Sequence, residues 1–390
     1  NRDLRVALLN VERSRAQLRV ADADRWPTLA AAFNASRAPN TQGVQTTTLQ
    51  AGLQVTSYEL DLFGRVRSTS DSAAAQLLAS DAGARAARLA LITQVVSTWF
   101  TLAADQEQLA LARSTLAGRE QTLKLTDLRA QVGAASDIEL QGVRGLQAQA
   151  QASVALLERQ VAQDGNALAL LVGQPVPGDA LPAPGLALDS QALAAVPAQA
   201  SSELLLRRPD VMQAEQLLIG ANANIGAARA AMFPRILLSG SAGVVSDSLS
   251  GLLQSGTFAW TLGAQAAMAI FDAGRNQANV QVAEVSRDIA IAQYEKAIQS
   301  AFREAADGLV GQATWRDQVA AQLRLATSER ERLRLTRMKY EAGTSNLIEL
   351  LDSERSLAGA EQALVLARLG EMLNRLALYK ALGGEEAAPR

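Results

Sequence analysis

Two stretches of this chain, Arg65 to Gln174 and Arg275 to Ala388, contain no proline and repeat apolar residues at a seven-residue step. Leu109, Leu116 and Leu123 set the step in one, and Leu350, Leu357 and Leu364 in the other. Leu140, Val154, Val161 and Leu168 follow it too, with Gln147 the one polar member. A heptad of this kind is the seam between neighbouring helices, and the Ala, Leu, Gln, Glu and Arg filling suits helix throughout. Val132-Gly133 and Ala342-Gly343 break each stretch once, which predicts long helices over 65–132 and 275–342 and shorter ones over 136–173 and 346–382. At 1.5 Å per residue these are about 100 Å and about 57 Å long. Two further helices, Asp3 to Arg25 and Asp210 to Met232, add about 35 Å each. One short helix stacked on one medium helix matches one long helix, so a protomer would supply four columns of equal height.

Between Trp26-Pro27 and Gly64, and between Phe233-Pro234 and Gly274, the period changes from 3.6 to 2. Leu49, Ala51, Leu53 and Val55 alternate with Gln50, Gly52, Gln54 and Thr56. Phe258, Trp260, Leu262 and Ala264 alternate with Ala259, Thr261, Gly263 and Gln265, and Leu29 to Arg37 and Ile236 to Val244 alternate more weakly. These patterns predict hairpins over 28–63 and 235–272, with polar loops at Pro39 to Gln45 and Ser246 to Gly256. Their strands have the length, about 9 to 11 residues, that a bilayer requires of tilted strands. Four strands cannot close a barrel, and lipid does not tolerate open sheet edges. If the chain spans a membrane it must therefore oligomerise: a dimer would give eight strands with a side-chain-filled interior, a trimer twelve with room for an opening.

All of this is one pattern written twice. Gly64-Arg65 recurs as Gly274-Arg275, Gly133 as Gly343 and Gly173 as Gly383, each 210 positions on. Leu125-Thr126 answers to Leu335-Thr336, and Ile138-Glu139-Leu140 to Ile348-Glu349-Leu350. The expected organisation is a first repeat over 1–173, an irregular proline-rich connection over 174–207, a second repeat over 208–384 and a tail over 385–390.

Composition narrows the chemistry. The chain has no Cys and no His, which removes thiol nucleophiles, imidazole bases, disulfides and the usual zinc sites. Its scattered Met residues suggest no soft-metal path. A formal net charge of -2 without a basic, aromatic-interleaved run does not fit nucleic acid. No unbroken apolar run of about 18 residues occurs, so a spanning helix is not expected and any membrane span would be β. Opening on Asn1 reads as a trimmed or mature form.

Three motifs carry a resemblance. Leu204-Leu205-Leu206-Arg207-Arg208-Pro209-Asp210-Val211, followed by Ala214-Glu215, sits at mid-chain. Tyr340-Glu341-Ala342-Gly343-Thr344 with Leu350-Leu351-Asp352-Ser353-Glu354-Arg355-Ser356-Leu357 sits at the second turnaround, and Leu378-Tyr379-Lys380-Ala381-Leu382-Gly383-Gly384 at the end. Together they resemble, over essentially the whole chain, the outer-membrane factor family of TolC-like exit ducts, in particular its OprM/NodT branch. The resemblance implies a mixed α and β fold: a homotrimer whose long α-helical barrel is continuous with a 12-stranded transmembrane β-barrel in outer-membrane lipid. It further implies an outer-membrane exit duct of a tripartite efflux pump, gated at its periplasmic tip and opened on docking to a periplasmic adaptor (a membrane fusion protein) and an inner-membrane pump. It implies no cofactor and no nucleic acid. Many relatives carry an acylated N-terminal Cys that is not among these residues. A soluble periplasmic coiled-coil scaffold, with the alternating segments as surface hairpins, is the competing reading.

The turnarounds Val132, Gly133, Ala134 and Ala342, Gly343, Thr344 are the candidate adaptor-contacting tips; a plain helix connection would also use Gly there. Ser136-Asp137-Ile138-Glu139 and Asn346-Leu347-Ile348-Glu349 read as capping boxes. The resemblance places Glu139 and Glu349 near the acidic ring of a closed aperture. Asp352 and Arg355, at i and i+3 on one helix, fall at that branch's constriction pair. Their counterparts Gly142 and Gly145 are uncharged, so the pair is specific to the second repeat; an exposed ion pair of little energetic weight would have the same spacing. Trp260, Phe258 and Phe33 suit a lipid-facing girdle, whereas Trp99, Phe100 and Trp315 suit helix packing.

Overall fold

The computed structural model describes residues 1–39, 41–182 and 202–384. The expected 385–390 tail and residues 183–201 of the 174–207 connection lie outside the described residues. In chain order the elements are α1 (Arg2–Ala23), β1 (Ala30–Pro39), β2 (Gln45–Glu59), α2 (Arg65–Gln131), α3 (Asp137–Val172), α4 (Ser202–Leu206), α5 (Pro209–Ala230), β3 (Arg235–Ser246), β4 (Phe258–Ala267), α6 (Arg275–Glu341) and α7 (Leu347–Ala381). Within the connection expected to be irregular, the described part holds a single 3-10 turn, Gly178–Ala180, and the five-residue α4.

The chain forms two compact units, each drawing on both repeats. One consists of Val6–Ala84 and Pro209–Ala297. It holds a four-stranded antiparallel sheet in the order β1-β2-β3-β4. The edge strands have 10 residues each, but the central pair run to 15 and 12, longer than the alternation suggested, because each is hydrogen-bonded on both sides. Register sorts the side chains into two faces. Phe33 opposes Ala51, Leu53 opposes Ala242, and Ala242 opposes Trp260, giving an apolar face. Asn34 opposes Gln50, Gln54 opposes Ser241, and Ser241 opposes Thr261, giving a polar one. Gln50 donates to Ser241 Oγ at 3.3 Å, and the Ser241 and Thr261 hydroxyls lie 2.7 Å apart. Gly52 and Gly243 are direct partners, and a Cβ on Gly243 would lie 2.2 Å from the Ala51 carbonyl, so the strands approach where neither carries a side chain.

Small residues bring the helices of this unit together: Ser14 and Ser80 hydroxyls lie 2.8 Å apart, and Gly220 faces Ala75 and Ser72. At the strand ends Glu59 accepts from Arg65 Nε and Nη2, both at 2.8 Å, and from Arg235 Nη2 at 2.6 Å. One carboxylate thus ties the end of β2 to the starts of α2 and β3. Phe63 stacks on Phe233 with centroids 4.7 Å apart, pairing the aromatics beside the two prolines-and-glycines where strand and helix meet.

The other unit consists of Asn1–Arg5, Arg85–Arg208 and the chain from Ile298 onward. Its core follows the heptad. Leu109 and Ala112 of α2 pack with Leu157 of α3, beside Val154 and Val161. Phe100 and Ala104 of α2 pack with Val365 and Met372 of α7, and Ala326 of α6 packs with Ala360 and Leu364 of α7. Trp315 lies over Gly370, where a Cβ would come within 2.4 Å of the ring. At the end of α3, Asn1 Nδ2 donates to the Leu171 carbonyl at 2.9 Å, so the residue before α1 closes the helix that α1 was expected to stack on.

α2 contains a window of 18 residues with mean hydropathy 1.2, enough by length and composition to cross a bilayer, although no unbroken apolar run marks it. The alanine-rich text raises the average while Gln, Ser and Thr interrupt the run. The whole helix has 67 residues, about 100 Å, far more than a bilayer core.

Candidate functional site: the helical turnarounds and the charges beside them

Both turnarounds are built alike. Gly133 and Gly343 each have φ 73°, the left-handed conformation that costs glycine nothing. Gly133 N–H donates to Ala130 and Ala134 N–H to Arg129, at 3.0 and 2.7 Å; Gly343 donates to Tyr340 and Thr344 to Lys339, at 3.0 and 2.9 Å. This pair of bonds satisfies two of the free carbonyls at the end of each of α2 and α6. The following helices are capped by side chains. Ser136 Oγ accepts from Glu139 N at 3.1 Å, and Asn346 Oδ1 from Glu349 N at 2.8 Å. The Glu349 carboxylate takes the Ser345 hydroxyl at 2.5 Å, so it reaches back to the residue before the N-cap rather than to the N-cap N–H of a standard capping box.

The two tips meet. Arg129 Nη1 donates to Tyr340 Oη at 2.9 Å. Between them lies an open groove of about 670 Å³ lined by Leu125, Leu128, Val132, Tyr340, Gly343 and Ser345, among others. Leu125, Leu128 and Val132 are exposed there, an apolar surface without a cover in the single chain.

Asp352 and Arg355 are brought together: Arg355 Nη2 donates to Asp352 Oδ1 at 2.6 Å. Arg332 of α6 approaches the other Asp352 oxygen at 3.7 Å. Asp352 and Arg332 are half-exposed and Arg355 more so. Glu139 and Glu349 stay at their helix starts, outside this contact.

Three features went unnoticed in the sequence. Glu354, two residues from Asp352, is a junction: Arg119 of α2 lies 2.8 Å from Glu354 Oε2, a charge contact off hydrogen-bond alignment, and Arg337 of α6 lies 3.4 Å from Oε1. Arg119 is almost wholly buried, so Glu354 supplies the charge that its desolvation demands. Arg208 of the mid-chain motif is buried too. It donates to the Ala381 carbonyl at 3.1 Å and to Glu304 Oε2 at 2.8 Å, which gives that motif a structural role. Finally, burial and the neighbouring Asp164 carboxylate, which accepts the proton that Asp105 holds and repels its charged form, push the Asp105 carboxyl up to about 6. The signal for the first was the exchange of Arg119 for Glu329 one repeat later; the other two depend on partners far away in sequence.

A profile of the family described as "Outer membrane efflux protein" matches residues 1–174 and 200–384. The chain is 42% identical over 391 residues to the solvent efflux pump outer membrane protein SrpC of Pseudomonas putida, covering 98% of this chain and 83% of that protein. It is 42% identical over 392 residues to the outer membrane protein OprJ of Pseudomonas aeruginosa, covering 98% and 81%. Its fold superposes on the open state of the Neisseria gonorrhoeae MtrE outer membrane channel with TM-score 0.89 at 41% identity, covering 98% and 86%.

Proposed function

Because the chain belongs to the outer membrane efflux protein family, we propose that it is the outer-membrane exit duct of a tripartite efflux pump. Three copies would join their sheets into a twelve-stranded barrel and their helices into a tube, and the duct would be passive, its work supplied by an inner-membrane pump. The observation that carries this reading is the sheet. Phe258, Trp260 and Leu262 are 69%, 69% and 77% exposed on its apolar face, while Gln50, Ser241 and Thr261 hydrogen-bond on the other. An apolar outer face, a polar inner face and two unpaired edges suit lipid outside, water inside and a neighbouring copy at each edge. A water-soluble scaffold would leave that apolar face in water.

At the turnarounds, Asp352 and Arg355, with Arg332 beside them, would hold the tip shut, and Glu139 and Glu349 would add negative charge at the aperture. Val132, Gly133, Ala134, Ala342, Gly343 and Thr344 would meet a periplasmic adaptor, with the apolar groove between the tips receiving it. The solvent efflux pump named for one relative suggests apolar cargo, selected by the pump rather than by the duct. Extraction tests the reading: the chain should sediment with outer membrane, resist release by high salt, and run in detergent as a trimer. Recovery as a soluble monomer would favour the scaffold.

A further inference from the structure

The two repeats exchange charge at three positions that the structure brings together. Arg119 is answered by Glu329, Asp127 by Arg337 and Arg144 by Glu354, each 210 positions on, and every one of these substitutions reverses sign. In the second repeat Glu354 of α7 sits between Arg337 of its own hairpin partner α6, at 3.4 Å, and Arg119 of α2, at 2.8 Å. In the first repeat Arg144 of α3 sits against Asp127 of its own hairpin partner α2, at 3.5 Å. The contact within each hairpin is therefore preserved in place and in length with its charges inverted. What the first repeat lacks inside the chain is the third member, a Glu329 facing Arg144.

The packing order says where that member lies. Along the shafts the apolar clusters set α3 against α2, α2 against α7, and α7 against α6, so that α3 and α6 end the row there, while nearer the turnarounds Val143 of α3 also packs with Leu347 and Leu350 of α7. Arg119 reaches Glu354 across the α2–α7 contact. One repeat on, the equivalent contact is α6 against α3, and the two ends of a row meet only when a second copy continues it. We propose that Glu329 of one copy pairs with Arg144 of the next, completing between chains a charge-inverted image of the Arg119–Glu354–Arg337 triad. Arg144 is half-exposed in the single chain, and Glu329, 20% exposed, has its ion pair among the described residues with Arg332 of its own helix at 2.8 Å. The exchange also acts as a register key. A row displaced by one hairpin would set Arg119 against Arg144 and Glu329 against Glu354, like against like, so copies join in one alternation only.

The inference rests on the trimer proposed above, and its test separates the two. The chain has no native Cys, so R144C and E329C copies bearing different tags can be co-expressed and treated with a short bis-maleimide in detergent. A covalent product carrying both tags is expected. R144Q, E329Q and the double variant R144Q/E329Q then form a cycle read by the temperature at which the oligomer dissociates: each single lowers it by a few degrees, and the double falls no further than either single. A trimer that forms without the two-tag product, or single losses that add in the double, overturns the pairing and leaves the duct reading in place. A chain with no oligomer overturns both.

Discussion

Arg208 Nη1 donates to the carbonyl oxygen of Ala381 at 3.1 Å, closing the end of α7 with the last residue before Pro209. Its Nη2 reaches Glu304 at 2.8 Å, so one planar cation serves two acceptors. Removing it strands a carboxylate and a helix end together. Arg208→Ala should cost about 3 kcal/mol. Arg208→Lys should recover less than half, because a single ammonium cannot span both acceptors. Circular dichroism melting decides, and a loss below about 0.5 kcal/mol for Arg208→Ala would contradict the assignment.

The Asp352 and Arg355 pair behaves differently. Both side chains are solvent-accessible, so Asp352→Ala or Arg355→Ala should change stability by less than about 0.5 kcal/mol. If the pair holds the tip shut, each variant should nonetheless raise single-channel conductance several-fold in planar bilayers. Unchanged conductance would remove Asp352 and Arg355 from the gate.

Asp105 gives a pH signature. Its carboxyl, pushed up to about 6 from 3.8 by burial and by Asp164, holds its proton more tightly in the folded chain than in the unfolded one. The stability this contributes is complete below about pH 4 and is lost as pH rises through 6. Asp105→Asn should therefore stabilise the protein by about 1 to 2 kcal/mol at pH 7.5 and have little effect at pH 4. Equal melting shifts at the two pH values would refute the cause given.

Gly243 tests the sheet. A side chain there meets the Ala51 carbonyl and the Gly52 backbone, which cannot move without parting β2 from β3. Gly243→Val should abolish heat-stable oligomers, and Gly52→Ala should weaken them. Gly43, with nothing within 4 Å of a built Cβ, marks the control position, although its φ of 79° still charges Gly43→Ala a modest local strain. Comparable loss in all three would mean that close approach is not the reason.

The heptad leucines, the breaking glycines and the alternating strand residues were readable because each signal is local. Leu109, Leu364, Gly133 and Trp260 stand in the kinds of place their spacing implied. The lengths of β2 and β3 were not readable, because pairing on both sides extends them beyond their own alternation. Arg208 was visible only as part of a motif, since Ala381 and Glu304 lie far off in sequence. The uncharged Gly142 and Gly145 one repeat earlier single out Asp352 and Arg355. The neighbouring exchange of Arg144 for Glu354 passed unnoticed because it appears as two ordinary surface charges until Arg119 is seen buried against one of them.

The most direct test of the duct is electrical. Purified oligomer added to a planar lipid bilayer should insert and produce discrete, long-lived conductance steps without any nucleotide or ion gradient beyond the applied voltage, as a passive water-filled barrel requires. Protein that remains water-soluble, forms no trimer and yields no steps would contradict the account.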